Sequence, residues 1–114
     1  MRDIEMDMRR YRECFRRHAH RHLSDLCGDP NAVADALMAL CYMRTGLREY
    51  HLDDRGCGVM GIPRDVWERI SLTFPKSTRP KKSEIFVPES NIELGIKYIG
   101  DLLRSVGNGD GEKK

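Results

Sequence analysis

The sequence has no long hydrophobic run, few aromatic residues and almost no net charge, and these absences limit what the protein can be. No stretch approaches the roughly 20 consecutive apolar residues of a membrane-spanning helix. Aromatic residues make up 7% of the chain, and a net charge of +2 does not by itself call for nucleic acid. With 39% hydrophobic and 33% charged residues, the 114 residues have the balance of one soluble domain.

Paired cysteine motifs and an export signal are missing as well. The four cysteines (Cys14, Cys27, Cys41 and Cys57) are spread out, with no C-x-x-C pair. The first ten residues contain acids where a signal peptide needs an apolar core. We therefore expect a cytoplasmic protein with free, buried thiols and no membrane association, or one released by lysis or in a virion.

What is present is helical periodicity, which predicts a mainly α fold of about four helices. Residues 3–26 form the first helix, with apolar side chains stepping by three or four along one face: Ile4, Met8, Tyr11, Phe15, Ala19, Leu23 and Leu26. Cys27-Gly28-Asp29-Pro30 ends it. The second helix, from about Asn31 to Arg44, is apolar on most sides and is the best candidate for a central buried helix.

The second half of the chain predicts two more helices and a long connection. The third helix opens at Pro63, and residues 71–88, with three prolines, form a functional or mobile loop. Ser90 and Glu93 have the spacing of a capping box that starts the last helix. Its apolar face consists of Ile92, Ile96, Ile99, Leu103 and Val106. The domain thus spans residues 1–106, and residues 107–114 form a disordered tail.

Basic residues cluster on the first helix and in the long connection. Between residues 9 and 22 there are six arginines and a single acid, Glu13. A solvated face and a docking surface for an acidic or phosphorylated partner both fit this pattern. The residues of such a surface would be Arg9, Arg12, Arg16, Arg17, Arg21, Lys81 and Lys82. No aromatic residues interleave, so any nucleic-acid binding would be unspecific.

Three potential metal ligands share the first helix. Cys14, His18 and His22 stand at i, i+4 and i+8, and a thiolate with two imidazoles on one face could ligate zinc. No fourth ligand has the right spacing, and Cys27 is only a guess. Solvated or capping histidines are the default, so we expect no metal and no cofactor.

The stretch 44–67 combines carboxylates with closely spaced glycines. Glu49, Asp53 and Asp54 precede Gly56, Gly58 and Gly61, and glycines so close together indicate tight turns or close backbone approach. A carboxylate at the mouth of a glycine-rich hairpin suits a glycosidase site, in which Glu49 would be the acid. The same residues are equally compatible with a plain junction between two helices that has no catalytic role.

Four segments resemble the lysozyme-like superfamily, in particular the soluble lytic transglycosylase and goose-type lysozyme branch. Asp29-Pro30 is similar to the start of that family's central helix. Residues 39–47 (A-L-C-Y-M-R-T-G-L) resemble its A-I-I-x-x-E-S-G-F motif, and residues 56–62 (G-C-G-V-M-G-I) its G-x-x-x-G-L-M-Q hairpin. Residues 90–99 (S-N-I-E-L-G-I-K-Y-I) resemble its N-I-x-x-G-x-x-Y-L helix. Together they cover about residues 29–106.

The resemblance implies a small lysozyme-like helical domain that acts on or binds the glycan strands of peptidoglycan. The implied binding residues are Arg44, Tyr50, Asp53, Asp54, Met60 and Arg64. The family's catalytic glutamate falls on Arg44, however, and arginine cannot serve as a general acid. The family's glutamine after the hairpin becomes Pro63 or Arg64, and its Tyr-Asn-Ala-Gly segment is missing.

Two functions follow from these departures. A peptidoglycan glycosidase or lytic transglycosylase would need Glu49 as its acid, although the neighbouring arginines would lower the pKa of Glu49. Alternatively, the chain is a non-catalytic protein-interaction module, a pseudoenzyme of phage type, that binds a partner through the basic face of its first helix.

Overall fold

The computed structural model describes residues 4–112, with side chains through residue 107, and it confirms the mainly α fold. Within that range the chain forms four α-helices, one two-stranded hairpin and two short 3-10 helices. In order, they are α1 (Ile4–Leu23), α2 (Pro30–Thr45), β1 (Leu52–Asp53), β2 (Gly56–Cys57), α3 (Arg64–Ser71), the 3-10 helices Lys76–Thr78 and Lys82–Phe86, and α4 (Pro88–Glu112). The strands are antiparallel, with Leu52 opposite Cys57 and Asp53 opposite Gly56.

The first helix buries the face that its periodicity predicts. Phe15, Ala19 and Leu23 are buried against α2 and α4, whereas Ile4 at the start of α1 is 49% exposed. His18, which the apolar pattern does not include, is buried on the same side. The helix ends at Leu23, three residues earlier than predicted.

The second helix has the predicted ends but not the predicted central position. Asp29 accepts a hydrogen bond from the Ala32 amide at 3.2 Å, and Gly46 ends the helix in the left-handed conformation. Only one side is covered, because α2 packs mainly against α1. Leu40 and Met43 on the other side are 62% and 83% exposed, so the prediction of a central buried helix is wrong.

The central element is α4, which contacts α1, α3 and the 3-10 helix Lys82–Phe86. It begins at Pro88, so Ser90 lies inside its first turn and the predicted capping box is wrong. Ile92 and Ile96 pack against α1 and α2, while Leu94 packs against Trp67 and the rest of a second core cluster around α3.

The end of α4 differs from the sequence prediction. Leu103 and Val106, predicted on the apolar face, are 53% and 63% exposed. The helix continues to Glu112, within the segment for which we predicted a disordered tail. Residues 113 and 114 of that segment lie outside the described part of the chain, as do residues 1–3, of which residue 3 belongs to the predicted first helix.

The long connection between α3 and α4 is anchored to the rest of the molecule at a few positions. Phe74 and Ile85 are buried in the second core cluster, and the Trp67 indole donates a hydrogen bond to the Lys81 carbonyl at 3.2 Å. The Arg79 guanidinium donates to the Phe74 carbonyl at 3.1 Å. These contacts fix the segment beside the hairpin, where its Phe86 becomes part of the candidate site.

Candidate functional site

The glycines of residues 56–61 allow the hairpin to fold tightly against itself. A Cβ atom on Gly56 would lie 2.0 Å from the Gly61 carbonyl oxygen. Gly61 has φ +65°, and a Cβ there would lie 2.6 Å from Nε of Arg44. Cys57 and Ile62 exchange two backbone hydrogen bonds of 2.9 and 2.8 Å across this turn. The sequence prediction of tight turns and close backbone approach is thus confirmed.

Arg44, at the position of the expected acid, is part of the hairpin structure. Its Nη2 donates a hydrogen bond of 3.0 Å to the Gly61 carbonyl and lies 4.0 Å from Oδ1 of Asp53. The neighbouring Thr45 hydroxyl lies 2.5 Å from the Val59 carbonyl and accepts from the Leu47 amide. The end of α2 therefore holds the hairpin through a cation and a hydroxyl, neither of which can protonate a glycosidic oxygen.

Asn91 of α4 holds the other side of the hairpin. Its side chain is fully buried and makes three hydrogen bonds. The amide oxygen accepts from the Met60 amide at 2.8 Å, and the amide nitrogen donates to the carbonyls of Cys57 at 3.1 Å and Ile85 at 2.7 Å. Sequence reasoning assigned Asn91 only to a motif, although a lone amide among the isoleucines of a buried helix face signals a bonded core residue.

Asp53 shapes the turn between the strands. Its carboxylate accepts hydrogen bonds of 2.9 Å from the amides of Arg55 and Gly56, and one of 3.0 Å from Nε2 of His51. The Arg55 amide, foremost among these donors, lowers the pKa of Asp53. Asp54 is exposed. The Asp53 carboxylate thus stabilises the turn and is not available as the second carboxylate of a glycosidase.

Glu49 lines a cleft of about 640 Å³ between the start of α1 and the loop that follows α2. Tyr11 and Leu47 form apolar walls of this cleft, hereafter the Glu49 cleft, and Arg10 and Arg48 line it as well. Glu49 is half-buried, and within the described residues it forms no hydrogen bond or ion pair. It is accessible to a ligand, but it shares its cleft with two cations.

An aromatic stack, formed by Tyr50, Phe86 and Arg64, brings together residues from three segments. Tyr50 also lines the Glu49 cleft and is 75% exposed. Its ring centre lies 6.2 Å from that of Phe86, with the two ring planes tilted by 34°, and the Arg64 guanidinium carbon lies 5.7 Å from the centre of the Phe86 ring. Of the implied binding residues, Tyr50 and Arg64 therefore share one surface, whereas Met60 packs against Gly95 of α4.

The basic face of α1 is largely used in ion pairs within the molecule. Arg16 pairs with Asp35 of α2 at 2.6 Å, and Arg17 with Glu89 of α4 at 2.7 Å. Weaker pairs join Arg9 to Glu5 at 3.9 Å, Arg21 to Glu93 at 3.7 Å and Lys82 to Glu68 at 3.6 Å. Arg12 forms no ion pair within the described residues, and Lys81 is exposed. Arg16 and Arg17 are thus held in close ion pairs, whereas the side chains of Arg9 and Arg21 are 71% and 66% exposed.

The potential metal ligands of α1, which are Cys14, His18 and His22, lie beside two glutamates of α4. Nε2 of His18 lies 2.5 Å from Glu89, and Nε2 of His22 lies 3.1 Å from Glu93. Two groups of side chains have ligand atoms within 4.8 Å of one another: Cys14, His18 and Glu89; and His18, His22 and Glu93. The default of solvated histidines is wrong for His18, which is 3% exposed.

The cysteines are free, and burial makes two of their thiols poor nucleophiles. Burial raises the pKa of Cys14 to about 12, helped by the nearby Glu89 carboxylate, and burial raises that of Cys41 to about 12. Burial also lowers the pKa of His22, which favours its neutral form.

Comparisons with known proteins give no relative for this chain. No family model matches it, and neither a curated protein nor a solved structure matches it. None of the helices in residues 4–112 is long and apolar enough to cross a membrane.

Proposed function

We propose that this protein is a non-catalytic, lysozyme-like domain that binds glycan strands of peptidoglycan along the Glu49 cleft and the aromatic stack. The observation that carries the proposal is the position of Arg44. At the place of the expected acid, its guanidinium donates a hydrogen bond to the Gly61 carbonyl. A general acid must release a proton near neutral pH, which a guanidinium does not do.

The aromatic stack supports a sugar as the ligand. A sugar ring has an apolar face of C–H groups and a rim of hydroxyls, so it suits an exposed aromatic ring flanked by hydrogen-bonding side chains. Tyr50 supplies such a ring, and Arg48, Glu49 and His51 line the cleft beside it. In this function Glu49 accepts hydrogen bonds from sugar hydroxyls instead of donating a proton to a glycosidic oxygen.

Cosedimentation with purified, insoluble peptidoglycan tests the binding. We expect the wild-type protein to pellet with it, and Tyr50→Ala to bind about fivefold more weakly, because stacking of this kind contributes about 1 kcal/mol. Leu40→Ala is the matched control, since it removes an exposed apolar side chain from α2, away from the cleft. Failure of the wild type to pellet, or equal binding by Tyr50→Ala, would refute the proposal.

The same samples test the absence of catalysis. Soluble muropeptides released from the pellet are measured for the wild type and for Glu49→Gln, and we expect none from either. Release by the wild type that Glu49→Gln abolishes would show instead a glycosidase with Glu49 as its acid.

A further inference from the structure

Three atoms that can carry lone pairs meet between α1 and α4, away from the hairpin. They belong to His18, His22 and Glu93, each of which offers one ligand atom within 4.8 Å of the other two. Glu93 Oε2 is 3.1 Å from His22 Nε2 and 3.8 Å from His18 Nδ1. The three side chains are 4%, 15% and 22% exposed, so the group is shielded but open on one side.

The hydrogen bonding of His18 determines which of its nitrogens is free. Nε2 lies 2.5 Å from Oε2 of Glu89, a carboxylate that can only accept, so Nε2 carries the proton. In the neutral ring Nδ1 then has a lone pair, and this buried atom has no hydrogen-bond partner. The neighbouring Glu93 oxygen is also an acceptor and, at 3.8 Å, is too distant for a hydrogen bond.

An imidazole lone pair facing a carboxylate in a buried place is unfavourable, and either a proton on the nitrogen or a cation bound between the two groups relieves it. We propose that His18 Nδ1, His22 Nε2 and the Glu93 carboxylate bind a divalent transition metal of the zinc class. Two imidazoles and one carboxylate form a ligand set known for zinc, with the fourth position left for water or another ligand. Nitrogen ligands also disfavour Mg²⁺ and Ca²⁺, which prefer oxygen.

The surroundings of His18 match an outer shell for such a site. A metal-bound histidine usually donates its other N–H to a carboxylate, which fixes its tautomer and its orientation. Glu89 plays this part for His18, and Arg17 in turn holds Glu89 through two contacts of 2.7 Å. Glu89 is thus a positioning residue. Arg21, 3.7 Å from Glu93, opposes the cation, but its side chain is 66% exposed and free to turn away.

The alternative group of Cys14, His18 and Glu89 is a weaker candidate. Its carboxylate is already neutralised by Arg17, and its thiol, 3.6 Å from Glu89, is held in the protonated form. His18 also uses in that group the nitrogen that donates to Glu89. A Cys14→Ser variant separates the two groups, because only the alternative loses a ligand.

The test is a titration of reduced, metal-stripped protein with Zn²⁺ by calorimetry, and with Co²⁺ by visible absorption. We expect one ion per chain, a rise in Tm on Zn²⁺ addition, and Co²⁺ bands without sulfur charge transfer. His22→Gln and Glu93→Gln should eliminate this binding, while Glu89→Gln should weaken it by about 10- to 100-fold. Cys14→Ser should bind as the wild type does.

His20→Ala is the matched control, since His20 is an exposed histidine of the same helix that contacts Asn31 instead of α4. Circular dichroism of each metal-free variant checks that it is folded before titration. Absence of a one-to-one complex in the wild type would overturn the proposal. So would binding that persists in both His22→Gln and Glu93→Gln, or that is lost in Cys14→Ser.

Discussion

At the scale of single residues, buried polar side chains connect parts of the chain that apolar contacts alone would leave loosely related. Asn91 joins α4 to the hairpin and to the 3-10 helix before it, using all three of its hydrogen bonds on backbone groups. Thr45, at the end of α2, likewise uses its hydroxyl on backbone groups, the carbonyls of Cys41 in its own helix and of Val59. Since these groups are buried, the removal of either side chain leaves backbone donors or acceptors without partners.

Replacement of Asn91 by alanine should lower the free energy of unfolding by about 3 kcal/mol, because it leaves the Met60 amide and two carbonyls unsatisfied in the interior. Urea denaturation followed by circular dichroism measures this. Asn31→Ala, which removes an exposed asparagine on α2, is the control and should change stability by less than about 1 kcal/mol. Equal effects of the two substitutions would contradict the role of Asn91.

At the scale of elements, the hairpin is too short to be stable alone and depends on what holds it. Two-residue strands supply few hydrogen bonds, and isolated hairpins are marginal even when longer. Arg44 from α2 and Asn91 from α4 therefore determine its shape from two sides.

Substitution of Arg44 by methionine should loosen the hairpin while leaving the helices in place. Loss of the bond to Gly61 should cost about 1 kcal/mol, and the amides of Cys57 and Ile62, which bond across the turn, should exchange faster with D₂O. Hydrogen exchange measured by NMR resolves these amides. Arg48→Met alters an exposed arginine nearby and should leave their exchange unchanged; faster exchange in both variants would contradict this.

The buried face and the start of a helix could be predicted from the sequence where they depend only on local residue spacing and capping residues. The buried stripe of Phe15, Ala19 and Leu23 follows from three- and four-residue spacing, and Asp29-Pro30 marks the start of α2. The central position of α4 could not be predicted, because α2 is the more uniformly apolar of the two helices. Which of them receives neighbours on several sides depends on tertiary packing, which local pattern does not encode.

The candidate site was predictable only in its backbone part. The glycines signal tight turns, and Asp53 is a residue that turns favour. The position of the Arg44 side chain on Gly61, and of Phe86 beside Tyr50, depends on contacts between distant segments. The same holds for the two histidines of α1, whose acid partners lie 71 residues further along the chain.

At the scale of the whole molecule, ion pairs join α1, and the turn that follows it, to the other helices. Arg16 connects α1 to α2 through Asp35, and Arg104 connects α4 to Asp25 in the turn after α1 at 2.8 and 3.0 Å. The Arg16 guanidinium lowers the pKa of Asp35, and the Arg104 guanidinium lowers that of Asp25. Each pair is partly exposed to solvent, so its individual contribution is small.

Stability should fall on acidification below about pH 4. A carboxyl whose pKa is lower in the folded state stabilises that state above its unfolded pKa of about 3.9, and the stabilisation disappears as the pH falls through the folded value. Urea midpoints measured between pH 5 and pH 2 should therefore decrease. Asp35→Asn should lower the midpoint at pH 5 and flatten this dependence, whereas Asp54→Asn, at an exposed turn position, should do neither. A midpoint independent of pH would contradict the expectation.

The pairing of the first helix with the last also sets the order in which the chain can mature during synthesis. His22 and Glu93 are 71 residues apart, which at typical rates of translation is roughly 4 to 14 seconds of elongation. Until α4 has been made, α1 has no partner to cover its buried histidine and the hairpin has no Asn91. The nascent chain therefore carries an uncovered surface until α4 is made, and a chain released before that point would remain exposed to chaperones and proteases.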